Sequence, residues 1–209
     1  MKNDTRSKKR RQRQRRKISN MALIILSILG IVLLGDIVGA IMYLRQTPEM
    51  QAHLMQYIAT GISLSFFQIF WRQFLYQLTI WTMGLTIIGN LLNLFLIFTR
   101  GVSAGFNLAV LVQGVGLGTI ILWLIQYILI LFTTILSVYF SIRFAYLIIK
   151  SLTKKKYKLI KKHLKMYATQ FVVVMVLVIF TSMLSSVIMP SIQYQMIEGM
   201  MVAVEMNEN

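Results

Sequence analysis

Residues 74–106 read FLYQLTIWTMGLTIIGNLLNLFLIFTRGVSAGF, with a single charge, Arg100. The apolar run then continues to Ile149 with only one more charge, Arg143. A hydrocarbon layer about 30 Å thick takes about 20 apolar residues per helical span. The stretch from Phe74 to Ile149 therefore holds several spans and decides the fold, an all-α integral membrane bundle. The whole chain agrees: it has 209 residues, 57% of them hydrophobic, and a mean hydropathy of +0.69. That is the membrane class, at a length that suits one bundle.

Working outward, five transmembrane helices are expected, at about 18–44, 74–99, 101–117, 119–149 and 168–189. The first is bounded by Lys17 and Arg45, too long an apolar run for a cleaved signal peptide, so it reads as a signal anchor. Between the first and second spans, residues 45–73 are too polar to cross. Thr47-Pro48-Glu49 reads as a helix start, a capping hydroxyl followed by proline and an acid. Gly61 reads as its stop. Phe66, Phe67, Phe70, Trp71 and Phe74 then recur at helical spacing as one aromatic stripe. An amphipathic segment lying in the outer interface fits this pattern, and a surface for a protein partner is the sharper reading.

Charge sets the expected orientation. Residues 1–17 carry ten Lys/Arg, and Lys150–Lys165 carry eight Lys and no acid. Basic residues accumulate on the cytoplasmic side. The amino terminus and the Lys-rich loop 150–167 are thus expected on the inner side of a cell membrane, and the acidic tail 190–209 on the outer side. Residues 1–17 are expected to be a disordered tail. The basic tail and the Lys-rich loop both suit anionic lipid. Nucleic acid is the less favoured partner for the tail, because a span follows at once. Pro190 is expected to end the fifth span.

The candidates for chemistry are few. There is no Cys, and His53 and His163 are far apart. No catalytic residue, metal site or cofactor is expected, and enzymatic activity is not. Asp36 and Arg143 are the ionisable side chains expected inside spans, where charges are functional candidates by default. They are expected at opposite depths, Asp36 near the outer face and Arg143 reaching towards the inner headgroups. Gly101 and Gly105 share a helix face, as do Gly114 and Gly118, and small residues there permit close helix packing. Asn90, Asn93, Asn107, Gln113 and Gln126 can bond between helices or line a pore.

The central stretch also resembles a known family. Gly84-Leu-Thr-Ile-Ile-Gly89, then Arg100-Gly101-Val-Ser-Ala-Gly105-Phe106, then Gly114-Val-Gly-Leu-Gly118 is similar to the stage II sporulation protein M family. The resemblance covers roughly residues 20–195. The family often has proline where this chain has Asn90, so it is a divergent member that the pattern describes. Gly84 and Gly89, inside the expected second span, are further candidates for helix packing. The resemblance implies a multi-pass scaffold of the mother cell that anchors peptidoglycan-degrading enzymes at the septum, for septal thinning and engulfment. Peptidoglycan hydrolases on the outer side are then the expected partners, and a homo-oligomer is a further expectation. The competing function is a transporter or channel subunit whose polar path runs past Asn93, Asn107, Gln113 and Gln126. A third, nucleic-acid tethering by residues 1–17, predicts steeply salt-dependent DNA binding.

Overall fold

The computed structural model describes residues 2–60, 65–114, 117–153 and 157–208. Its elements are α1 (Lys2–Leu44), α2 (Pro48–Thr60), α3 (Phe66–Met83), α4 (Ile87–Gly114), α5 (Leu117–Thr153) and α6 (Tyr157–Glu208). Among the described residues there is no strand. An all-helical chain suits hydrocarbon, because a helix satisfies its backbone groups within one segment. Four helices hold stretches long and apolar enough to cross a membrane: Met21–Leu44, Ile88–Gln113, Leu117–Thr153 and Leu159–Ile192. Outside the helix contacts they expose large apolar side chains, such as Leu26, Leu33 and Leu34 on α1 and Val172 and Val176 on α6.

The expected second and third spans are divided differently. Hydropathy runs on through Met83–Ile87, but the helix breaks there. The Gly84 and Leu85 amides bond back to Ile80 and Thr82 at 3.0 and 3.2 Å and tighten the turn. The Thr86 hydroxyl then accepts from the Gly89 amide at 2.9 Å and starts α4 as a capping residue does. A Cβ at Gly89 would overlap the Met83 carbonyl, so the turn needs glycine at that close approach. From Ile87, α4 continues through Arg100 and Gly101 without interruption. Arg100, expected at a span end, lies midway along the apolar stretch instead.

The aromatic segment is also placed differently. A capping box between Ser65 and Gln68 opens α3, which buries Ile69, Gln77, Ile80 and Trp81. It packs against α4, α5 and α6 as part of the bundle. α2 is a separate short helix, with the Met50 amide bonded to the Thr47 hydroxyl at 3.3 Å. Gly61 lies outside the described residues.

Helix also runs through three further places where the sequence predicts a tail, a loop or a helix end. α1 begins at Lys2, where a disordered tail was expected; Lys, Arg and Gln are strong helix formers, and extending a formed helix avoids a new nucleus. Helix also occupies most of the expected loop 150–167, with α5 ending at Thr153 and α6 starting at Tyr157. Pro190 sits inside α6 rather than ending it. Proline removes one backbone donor, and membrane helices tolerate this when nearby hydroxyls rearrange. The amide removed is the one that would reach the Ser186 carbonyl; the Ser186 and Ser191 hydroxyls beside it bond to the Met183 and Val187 carbonyls instead.

Helix directions follow from the bonds. α1 and α4 are parallel and form the most extensive pair: Val32 faces Gly101, Asp36 faces Gly105, and Tyr43 Oη donates to Gln113 Oε1 at 2.7 Å. α3 returns antiparallel to α4, with Tyr76 Oη on the Leu96 carbonyl at 3.1 Å and Asn93 Nδ2 on the Ile80 carbonyl at 3.0 Å. α5 is antiparallel to α6, with Gln126 bonded to Ser185 towards one end and Phe144 stacked on Tyr167 towards the other.

Candidate functional site

Lipid is as apolar as leucine, so burial alone does not hold membrane helices together; close packing and polar bonds do. The closest packing is between α1 and α4. A Cβ at Gly35 would overlap the Phe98 carbonyl, and one at Gly39 the Val102 carbonyl. In return, a Cβ at Gly101 would overlap the Val32 carbonyl, and one at Gly105 the Asp36 carbonyl. Four glycines thus form a reciprocal seam. Gly101 and Gly105 were singled out from the sequence; Gly35 and Gly39, with the same spacing, were not. Gly84 packs under the Ser141 and Tyr167 side chains. Around Gly118 a Cβ would meet nothing within 4 Å among the described residues, while the surroundings of Gly114 lie outside the description.

Polar side chains tie the other helices. Asn93, 0% exposed, donates to Ile80 on α3 and to Ser141 on α5, and Ser141 donates to Asn90 Oδ1 at 3.1 Å. Gln126 donates to Ser185 at 2.8 Å, and Thr181 to Gln73 at 3.0 Å. Four of the five amide side chains raised as bonding or pore-lining groups are therefore engaged within the bundle: Asn90, Asn93, Gln113 and Gln126. Asn107 is exposed.

Asn107 stands at the rim of a cleft of about 530 Å³ between α3 and α4, floored by α5. Arg72, Tyr76 and Arg100 line its sides, and Gln126 and Tyr127 its floor. The Arg100 guanidinium lies over the Tyr76 ring, 4.4 Å from the centroid. Tyr127 stacks on Trp123 and donates its hydroxyl to Asp36 Oδ1 at 2.9 Å. Asp36 and Arg100 are thus neighbours of one polar network, although Arg100 was read as a boundary. Arg143 is exposed on α5, away from Asp36. The signal missed is the spacing Asn93, Arg100, Asn107, seven residues apart, which puts all three on one stripe of α4.

The five aromatic candidates pack along α3: Phe66 stacks with Phe70, Phe67 and Phe74 stack with Trp71, and Phe70 meets Phe74 at a tilt. Phe70 leans on the buried cluster around Trp81 and Tyr167, while Phe67 is 66% exposed. Among the described residues no three His, Cys, Asp or Glu side chains gather to hold a metal.

Comparison with curated proteins and with solved structures gives no match. The family model of stage II sporulation protein M matches residues 19–189, most of the chain, and so the chain belongs to the stage II sporulation protein M family.

Proposed function

We propose that this chain is a multi-pass scaffold of the bacterial cell membrane that anchors peptidoglycan hydrolases at the septum for septal thinning and engulfment. The observation that supports it is the family match over residues 19–189. In this reading α1, α4 and α6 run outward and α3 and α5 return, giving five crossings with the amino terminus inside. Both Lys/Arg-rich blocks then lie on the cytoplasmic side, as the distribution of basic residues favours. The outer partner surface is α2 with the exposed aromatics Phe66, Phe67 and Trp71.

Orientation is tested by single cysteines, since the chain has none of its own. Tyr194→Cys is expected to react with an impermeant maleimide in intact cells, and Lys161→Cys only after permeabilisation. The reverse pattern overturns the orientation. Function is tested by affinity purification from native membranes in mild detergent, followed by mass spectrometry. Recovery of extracytoplasmic wall hydrolases is the expected result, with loss on Phe67→Ser/Trp71→Ser. The polar cleft favours a second reading, a transport subunit, for which the same experiment recovers a nucleotide-binding ATPase instead.

A further inference from the structure

The stripe Asn93, Arg100, Asn107 records how α3 and α4 separate. Asn93 is fully buried, Arg100 half-buried and Asn107 exposed. The two helices touch near their shared turn and splay beyond it, leaving the cleft. Its wall carries two arginines and no carboxylate. The nearest acid, Asp36, is held behind Tyr127 by the tyrosine hydroxyl. The rim residues Arg72, Ser103 and Asn107 are exposed, yet Ser103 and Asn107 lie within the apolar stretch Ile88–Gln113.

A cation at that depth is expensive unless an opposite charge or water meets it. The Tyr76 ring meets one face of the guanidinium and leaves donors at its edges. A guanidinium fork matches the paired oxygens of a phosphate. The cleft volume falls in the range of small-ligand sites, about 300–1,000 Å³. Ile69, Ala104 and Ile130 give it an apolar side that suits the glycerol and first acyl carbons. Because the rim opens at hydrocarbon depth, the anion with access is one already in the bilayer.

We propose that the cleft between α3 and α4 binds the phosphate headgroup of an anionic membrane lipid. This goes beyond the scaffold reading and does not depend on it. The test uses the full-length protein in mild detergent with phosphatidylglycerol and phosphatidylcholine, counting retained lipids by native mass spectrometry. One phosphatidylglycerol is expected to be retained in preference. Arg100→Gln and Arg72→Gln are each expected to weaken it about tenfold, the loss of a charge-assisted bond. Arg100→Lys should restore part of it. Arg143→Gln, outside the cleft wall, should retain it fully. Arg72 is exposed, so its replacement reads binding without disturbing the fold.

Equal retention by Arg100→Gln, or equal loss in Arg143→Gln, overturns the proposal. Binding of inorganic phosphate with no lipid retained overturns the lipid source. A partner's membrane segment crosslinked at the Asn107 position in place of lipid overturns it as well.

Discussion

Gly105→Leu is expected to unseat α1 from α4 and to cost about 3 kcal/mol or more, the upper end of what overpacking a well-packed interface costs. The reason lies in what a side chain would strike. A Cβ at position 105 meets the Asp36 carbonyl and Cα, and backbone cannot move aside as a flexible side chain can. The helices must separate along the whole seam, which also parts Tyr43 from Gln113 and Asp36 from Tyr127. Gly30→Leu, on α1, is the control. A Cβ there meets nothing within 4 Å, so its effect should stay within about 0.5 kcal/mol. Unfolding of both variants in mild detergent, followed by tryptophan fluorescence, gives the comparison. Equal stability of the two would mean that the seam does not hold the bundle.

This pair of glycines also shows how far the sequence could be read. The apolar runs announced a membrane bundle, since length and hydropathy are local properties. Gly101 and Gly105 stood out because they follow a charge. Gly35 and Gly39 have the same spacing, but Asp36 between them drew the reading towards charge rather than packing. The turn at Gly84–Thr86 was hidden because the residues around it remain apolar, and hydropathy does not register a change of direction. Arg100 was assigned to a boundary for a sound reason, that arginines cluster at span ends. What keeps it inside is Tyr76, 24 residues earlier on the chain but opposite in space. A contact across an antiparallel hairpin leaves no mark in a hydropathy profile. The aromatic stripe was legible as a helix, but not its destination. Phe70 leans on the buried cluster around Trp81 and Tyr167, while Phe66, Phe67 and Trp71 stay exposed.

Asn93→Leu should destabilise the bundle by about 2–4 kcal/mol, whereas Asn107→Leu should leave stability within about 0.5 kcal/mol of the parent. The two asparagines lie on one helix, separated by just under four turns, and so face nearly the same way. Their environments differ because α3 diverges from α4 on leaving the turn. At Asn93 the helices touch, and the amide joins α3 to α5 through Ile80 and Ser141. An interhelical bond in a membrane contributes about 0.6 kcal/mol on average and up to about 1.7. Two are lost, and leucine must also fit a fully buried site, which adds about 1–3 kcal/mol. Asn93→Ala separates the two contributions, because it removes the bonds without the crowding and should cost less than leucine. At Asn107 the same substitution enters the open rim of the cleft, where nothing needs to move. Detergent unfolding measures all three. If Asn93→Leu and Asn107→Leu lose stability equally, α3 and α4 do not splay, and the cleft on which the lipid site rests is absent from the protein in its membrane.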